Sequence, residues 1–70
     1  MVYIDNNFKI DIRNHRENMG LSINKLSKIT GIARSSIADI ENGKRVPGAL
    51  ILYKLSIALN CSMEDLIRVC

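Results

Sequence analysis

Residues 22–41 read SINKLSKITGIARSSIADIE, and the spacing within this stretch decides the fold. A helix signal opens at Ser22 and closes at Gly31. After a tight connection, a second helix signal begins near Ala33 and runs to Asn42 and Gly43. Leu26 and Ser27 on the first segment and Ile37 and Ile40 on the second can pack the pair together. The outer face of the second segment (Arg34, Ser35, Ala38 and Asp39) is then left free to read a partner.

Working outward, the spacing predicts a first helix over about residues 7–19. Phe8, Ile12, His15 or Arg16, and Met19 recur at helical intervals, and Gly20 supplies the left-handed residue that ends it. Ser22 is a natural N-cap, its hydroxyl able to accept from an orphan amide two or three residues on. The second helix follows with Ile23, Leu26 and Ile29 or Thr30 inward, and Gly31 stops it. The third covers about residues 34–42, with Gly43 as its stop. Residues 44–47, KRVP, form a loop whose Pro47 suits the first turn of the next helix. The fourth helix spans about residues 48–59, with Ala49, Leu52, Leu55, Ala58 and Leu59 as its core stripe, and Asn60 ends it. Ser62 caps a fifth helix with Glu64 and Asp65 in its first turn, where the dipole favours acids. Leu66 and Ile67 close the core. No strand signal is read anywhere. Residues 1–6 are a short tail, yet Val2, Tyr3 and Ile4 are apolar enough to be expected to pack. No repeat or linker divides the chain, so residues 1–70 are read as one all-α domain.

Seventy residues bury a limited fraction of their surface, and with a hydrophobic content of 47% and only Tyr3, Phe8 and Tyr53 as aromatics, the core must rest on Ile, Leu and Val. The formal net charge of +3 suits an anionic partner without establishing one. Cys61 and Cys70 stand nine positions apart, without a CxxC and with a single histidine, which excludes an ordinary structural zinc site. No cofactor is expected. The start MVYIDNN lacks a basic run and a long apolar stretch, and no segment approaches the ~20 apolar residues of a membrane span. The expectation is a cytoplasmic protein with reduced thiols, Cys61 in the core and Cys70 a free terminal thiol.

A helix, a tight turn and a second helix with a free outer face make a helix-turn-helix, the unit that sets its second helix in the DNA major groove. From here the sequence resembles the Cro/cI-type (XRE) family of phage repressors and bacterial regulators, whose lambda-repressor-like domain is a compact five-helix bundle. The resemblance covers about residues 8–67. It is carried by Arg16, by Gly20, Leu21 and Ser22, by Leu26 and Ser27, by Gly31 and Ile32, by Ser36 and Ile37, by the run IENGKR at residues 40–45, by Pro47, and by Leu55, Ala58, Leu59, Ser62, Asp65 and Leu66. The stretch IENGKRVP followed by an apolar helix is the specific combination.

The resemblance implies a dimer working on partly palindromic double-stranded DNA. Phosphate contacts would fall on Ser22, Ser36, Asn42, Lys44 and Arg45. Bases would be read by Ala33, Arg34, Ser35, Ala38 and Asp39. Arg16 on the first helix would form a structural ion pair with Glu41. Four positions depart from the family pattern: Ile23 replaces a common Gln that binds phosphate, Ser27 replaces Ala at the helix crossing, Asp39 stands where Arg or Gln often reads a base, and His15 stands where Leu is common.

The side chains narrow this reading. The fork of Arg34 suits O6 and N7 of guanine. Ser35 and Ser36 are either ordinary first-turn residues or small donors that allow close approach to DNA. Asp39 is either a surface acid near Arg34 or Lys28, or an acceptor for cytosine N4 or adenine N6. His15 is expected to be a half-buried packing residue. Leu50, Tyr53 and Ile57 add an apolar outer face to the fourth helix, either buried more deeply or exposed as a dimer interface.

Three classes of function follow. The first is a sequence-specific transcriptional regulator, a repressor by resemblance. The second is a protein-interaction module on the same fold, an antitoxin or anti-repressor, which Ile23, Asp39 and the fourth helix would favour. An enzyme is the third and is set aside, because no nucleophile, base and acid are grouped.

Overall fold

Ile12, Leu26, Ile37, Leu55 and Leu66 are fully buried, and Ile32, Ile40, Leu52 and Leu59 complete the core around them. The coordinates, a computed structural model, describe residues 8–69 apart from the side chain of Val69. The tail over residues 1–6, with Val2, Tyr3 and Ile4, and the terminal Cys70 lie outside the described residues. The elements run β1 (Phe8–Ile10), α1 (Arg13–Asn18), α2 (Ile23–Thr30), α3 (Arg34–Glu41), α4 (Ala49–Ala58), a 3-10 turn (Glu64–Leu66) and β2 (Ile67–Val69).

Each central helix is bounded as its residues require. Ser22 caps α2 by accepting the Lys25 amide at 3.0 Å. Gly31 ends α2 in the left-handed region at φ 74°, with its amide on the Ser27 carbonyl at 2.8 Å, and Gly43 turns the chain after α3 at φ 75°. Between α2 and α3 the connection is tied three ways. The Ser27 hydroxyl donates to the Ile32 carbonyl at 2.6 Å. Thr30 Oγ1 donates to the Leu26 carbonyl at 2.8 Å and accepts the Ile32 amide at 3.2 Å. The serine at the helix crossing therefore fastens the turn.

Four expectations are corrected. The first helix does not reach back to residue 8. Phe8, Lys9 and Ile10 pair antiparallel with Val69, Arg68 and Ile67, and the Asp11 amide extends the pairing to the Leu66 carbonyl at 2.7 Å. Asp11 then accepts the Asn14 amide on its carboxylate at 3.3 Å, just ahead of the helix that begins at Arg13. A second ligature, Arg68 to Asp11 at 3.3 Å, spans the two ends of the described chain. The reading that strands are absent is overturned by this two-stranded sheet.

The fifth helix is a single 3-10 turn. Its capping was read correctly: Ser62 Oγ accepts the Asp65 amide and Asp65 Oδ2 accepts the Ser62 amide, both at 3.1 Å, a reciprocal box. The helix stops because Ile67 turns extended at ψ 124° to enter β2. Among the described residues there are thus four α-helices rather than five.

Lastly, parts of the predicted inward faces are on the surface. Phe8, Met19, Ile29 and Ile67 are substantially exposed, and so is Ala49, the first residue of α4. Pro47 lies in the loop just before the Gly48 N-cap, outside the first helical turn. His15 is half-buried as expected, and its Nε2 lies 3.1 Å from the Asp65 carbonyl oxygen, so that nitrogen donates.

Candidate nucleic-acid interface

The expected reading residues stand at the start of α3 and on its outer side. Ala33 is the N-cap residue of α3 and supplies no side-chain cap, so the first amides of the helix have no side chain of that residue in front of them. Ala33, Arg34 and Ser35 are exposed, whereas Ser36, Ala38 and Asp39 are half-buried. An open groove runs between α2 and α3, lined by Ile23, Asn24 and Ser27 on one side and by Ala33, Arg34, Ser35 and Ala38 on the other. This groove gathers four of the five expected base-reading residues. Asp39 does not line it.

Arg34 is held at one end. Its Nη1 donates to Asn24 Oδ1 at 3.1 Å, which leaves its Nε and Nη2 edge open. Asn24 was missed in the sequence, where nothing marks an exposed amide on α2 as a partner for a residue ten positions on. Asp39 pairs with neither Arg34 nor Lys28. Its backbone carbonyl matters more, accepting the Lys44 amide at 2.8 Å and the Arg45 amide at 3.3 Å. These two bonds fold residues 42–45 back against the end of α3.

The expected phosphate-contacting residues are brought together only in part. Arg45 Nη1 donates to Ser36 Oγ at 3.2 Å, which joins the loop to the first turn of α3 and leaves the serine hydroxyl its own proton to donate. Lys44 is exposed in the same loop. Ser22 stands apart, at the start of α2, with its hydroxyl oxygen engaged as the helix cap. Asn42 is exposed, and its Oδ1 accepts from Arg13 Nη2 at 2.9 Å.

Beneath the loop lies the ion pair. Arg16 grips Glu41 with two bonds, Nε to Oε2 at 2.8 Å and Nη2 to Oε1 at 3.1 Å. Its Nη1 donates to the Leu21 carbonyl at 2.9 Å. The side chains are 12% and 1% exposed, so this is a buried pair. Arg13, which sequence reasoning did not single out, adds a third bond, Nε to Glu41 Oε1 at 3.2 Å. Burial pushes the Glu41 carboxyl up, but the hydrogen bonds from Arg16 and then Arg13 outweigh it and hold the carboxyl below its ordinary range. The hydrogen bond to Glu41 likewise raises the Arg16 guanidinium, against the opposing effect of burial.

On α4, Leu50, Tyr53 and Ile57 are exposed to 67%, 53% and 61%. Of the two readings of this face, deeper burial is therefore not what the described residues show. Cys61 is a half-buried free thiol packed against the core, and burial, then the Asp65 carboxylate, push it up. No helix among the described residues is long and apolar enough to cross a membrane.

With this geometry in place, the chain belongs to the helix-turn-helix family, whose HTH_3 model matches residues 12–66. It is 35% identical over 57 residues to the uncharacterized HTH-type transcriptional regulator YgzD of Bacillus subtilis, a match covering 81% of this chain and 86% of the relative. The fold is similar to the restriction-modification controller protein C.AhdI from Aeromonas hydrophila, with a TM-score of 0.75, 31% identity, and coverage of 79% of this chain and 83% of that one. It is equally similar to SinR, the master regulator for biofilm formation, solved in complex with DNA, with a TM-score of 0.75, 30% identity, and coverage of 79% and 89%.

Proposed function

We propose that this chain is a sequence-specific, double-stranded DNA-binding transcriptional regulator that sets α3 in the major groove. The observation that carries the reading is the start of α3. There Arg34, braced by Asn24, presents an open guanidinium edge over a groove whose α3 side is otherwise lined by the small residues Ala33, Ser35 and Ala38, with Ile23 on the α2 side. Such an edge matches O6 and N7 of guanine, a contact worth about 1–3 kcal/mol of discrimination. Ala33, Ser35 and Ala38 offer small contacts to neighbouring bases, and Asp39 an acceptor for an exocyclic amine. Ser22, Ser36, Asn42, Lys44 and Arg45 would hold phosphates and fix the register of the helix on the duplex. Likeness to a structure solved with DNA supports the same reading.

In this proposal two copies bind a partly palindromic operator, with their reading helices about 34 Å apart, one turn of the duplex. The exposed face of Leu50, Tyr53 and Ile57 is the surface offered for pairing. That same face, with Ile23 and Asp39, also favours the second reading, a protein-interaction module of antitoxin or anti-repressor type. Selection of bound sequences from a random duplex pool separates the two. A regulator enriches a short motif repeated with dyad symmetry at one-turn spacing. Failure to enrich any sequence, with no retardation of duplex DNA even at low salt, would refute the DNA reading.

A further inference from the structure

We infer that Arg13 is a positioning residue for DNA binding: it fixes the side-chain amide of Asn42 so that its NH2 group, and not its oxygen, faces the phosphate backbone. The inference rests on the DNA-binding reading above and assigns a role to a residue that the motif itself does not mark.

Arg13 and Arg16 lie three positions apart on α1 and so share a face. Arg16 alone already occupies both oxygens of Glu41. Neutralising the carboxylate therefore does not explain why Arg13 is drawn to the same place while remaining 53% exposed. What distinguishes Arg13 is its second bond. Nε and Nη2 form one edge of the guanidinium, and that edge spans two successive residues, Glu41 Oε1 at 3.2 Å and Asn42 Oδ1 at 2.9 Å.

The consequence follows from the donor inventory of an amide. A carboxamide has an acceptor end and a donor end, and a cationic donor placed against the oxygen selects one orientation. With Oδ1 held by Arg13, the exposed Asn42 turns Nδ2 outward with two protons to give. The flipped amide would present lone pairs to a phosphate and be repelled. Asn42 sits where this matters, immediately before Gly43, Lys44 and Arg45, in the loop that the Asp39 carbonyl holds against α3. Glu41 anchors the arrangement from below, since its bond to Arg13 prevents the guanidinium from swinging away.

The test is a double-mutant cycle on the full chain, with affinity measured for the best duplex from the pool selection. Arg13→Met and Asn42→Ala are each expected to weaken binding about tenfold, the loss of roughly one charge-assisted hydrogen bond. In the Asn42→Ala background, Arg13→Met is expected to cost only about two- to threefold, its remaining effect as a nearby charge. Arg13→Lys keeps the charge but not the paired edge, and is expected to fall well short of wild-type affinity. Arg13→Met costing the same with and without Asn42, or Arg13→Lys binding as wild type, would overturn the inference while leaving the DNA reading intact. Failure of the wild type to bind any duplex would overturn both. Nitrogen-15 spectra of the free protein supply a separate readout. The Asn42 side-chain amide signals should shift in Arg13→Met, and unmoved signals would refute the positioning role without reference to DNA.

Discussion

Replacing Arg16 by Ala is the most informative perturbation of the fold. Arg16 makes three hydrogen bonds, two to Glu41 and one to the Leu21 carbonyl. Glu41 is only 1% exposed, so in the variant a carboxylate remains buried with Arg13 as its single cation. Stranding one partner of a buried pair costs about 3–5 kcal/mol, and the surviving Arg13 bond places the loss near the lower end. A domain of this size holds only about 4–10 kcal/mol in total. With a urea dependence near 1 kcal/mol per molar, the unfolding midpoint followed by circular dichroism at pH 7 should fall by about 3 M. The loss should also depend on pH with a definite sign. The folded Glu41 carboxyl lies below its ordinary value of 4.5, so the wild-type folded chain binds this proton less readily than the unfolded chain. The stabilisation is complete above that ordinary value and is lost as pH falls through the lower folded value. The gap between wild type and Arg16→Ala should therefore narrow on acidification below about pH 4.5. Glu41→Gln removes the charge itself, and its deficit should narrow in the same range as the wild type loses the advantage. A midpoint for Arg16→Ala within about 0.3 M of wild type, or a gap that widens in acid, would refute the assignment of this pair as a buried anchor.

Other consequences concern the surface. Lys44→Ala and Arg45→Ala should each weaken binding to all duplexes alike and reduce the slope of log affinity against log salt by about 0.9; an unchanged slope in a salt titration would remove the phosphate assignment. Asp39→Ala should relax preference at one position in a repeated pool selection, and uniform tightening on all sequences would mean that Asp39 only repels phosphate. Leu50→Glu together with Ile57→Glu should leave the urea midpoint nearly unchanged, because both positions are exposed, while abolishing self-association in sedimentation. A wild-type chain that sediments as a monomer at high micromolar concentration would refute the dimer face.

The three central helices were legible because each carries a local boundary as well as a period. Ser22, Gly31 and Gly43 act within a few residues of the helix ends they define, and Leu26, Ile37, Leu52 and Leu55 recur at helical spacing. The sheet was not legible because its strands are three residues each and their partners lie at opposite ends of the chain. Three residues cannot establish a period of two, and Phe8 with Ile12 mimics a helical interval. The fifth helix failed for a related reason: its capping box is local and was visible, but its length is limited by pairing with β1, which is not local. On α3, the exposure of Arg34 and Ser35 was legible from which residues the core claimed, whereas Ala38 and Asp39 are half-buried. Arg13 was not, since its partners lie 28 and 29 positions away. A signal for it did exist: it stands three residues before Arg16, on the face that the resemblance already directs toward Glu41.

That face explains how so small a domain can aim a helix. Each of α2 and α3 has eight residues, about 12 Å of rod, too short to be stable alone. Apolar packing of Leu26 against Ile37 and Ile40 holds the two together but is not directional. Direction comes from hydrogen bonds at both ends of α3. At its start, the Ser27 hydroxyl ties the turn through the Ile32 carbonyl, and Asn24 steadies Arg34. At its finish, Arg16 joins Glu41 to the Leu21 carbonyl, just ahead of the α2 cap. One guanidinium thus links α1, the approach to α2 and the end of α3. Because those bonds constrain angle as well as distance, the orientation of the exposed helix is set largely from beneath, and of its outer side chains Arg34 gives one nitrogen to that task and keeps its other edge open.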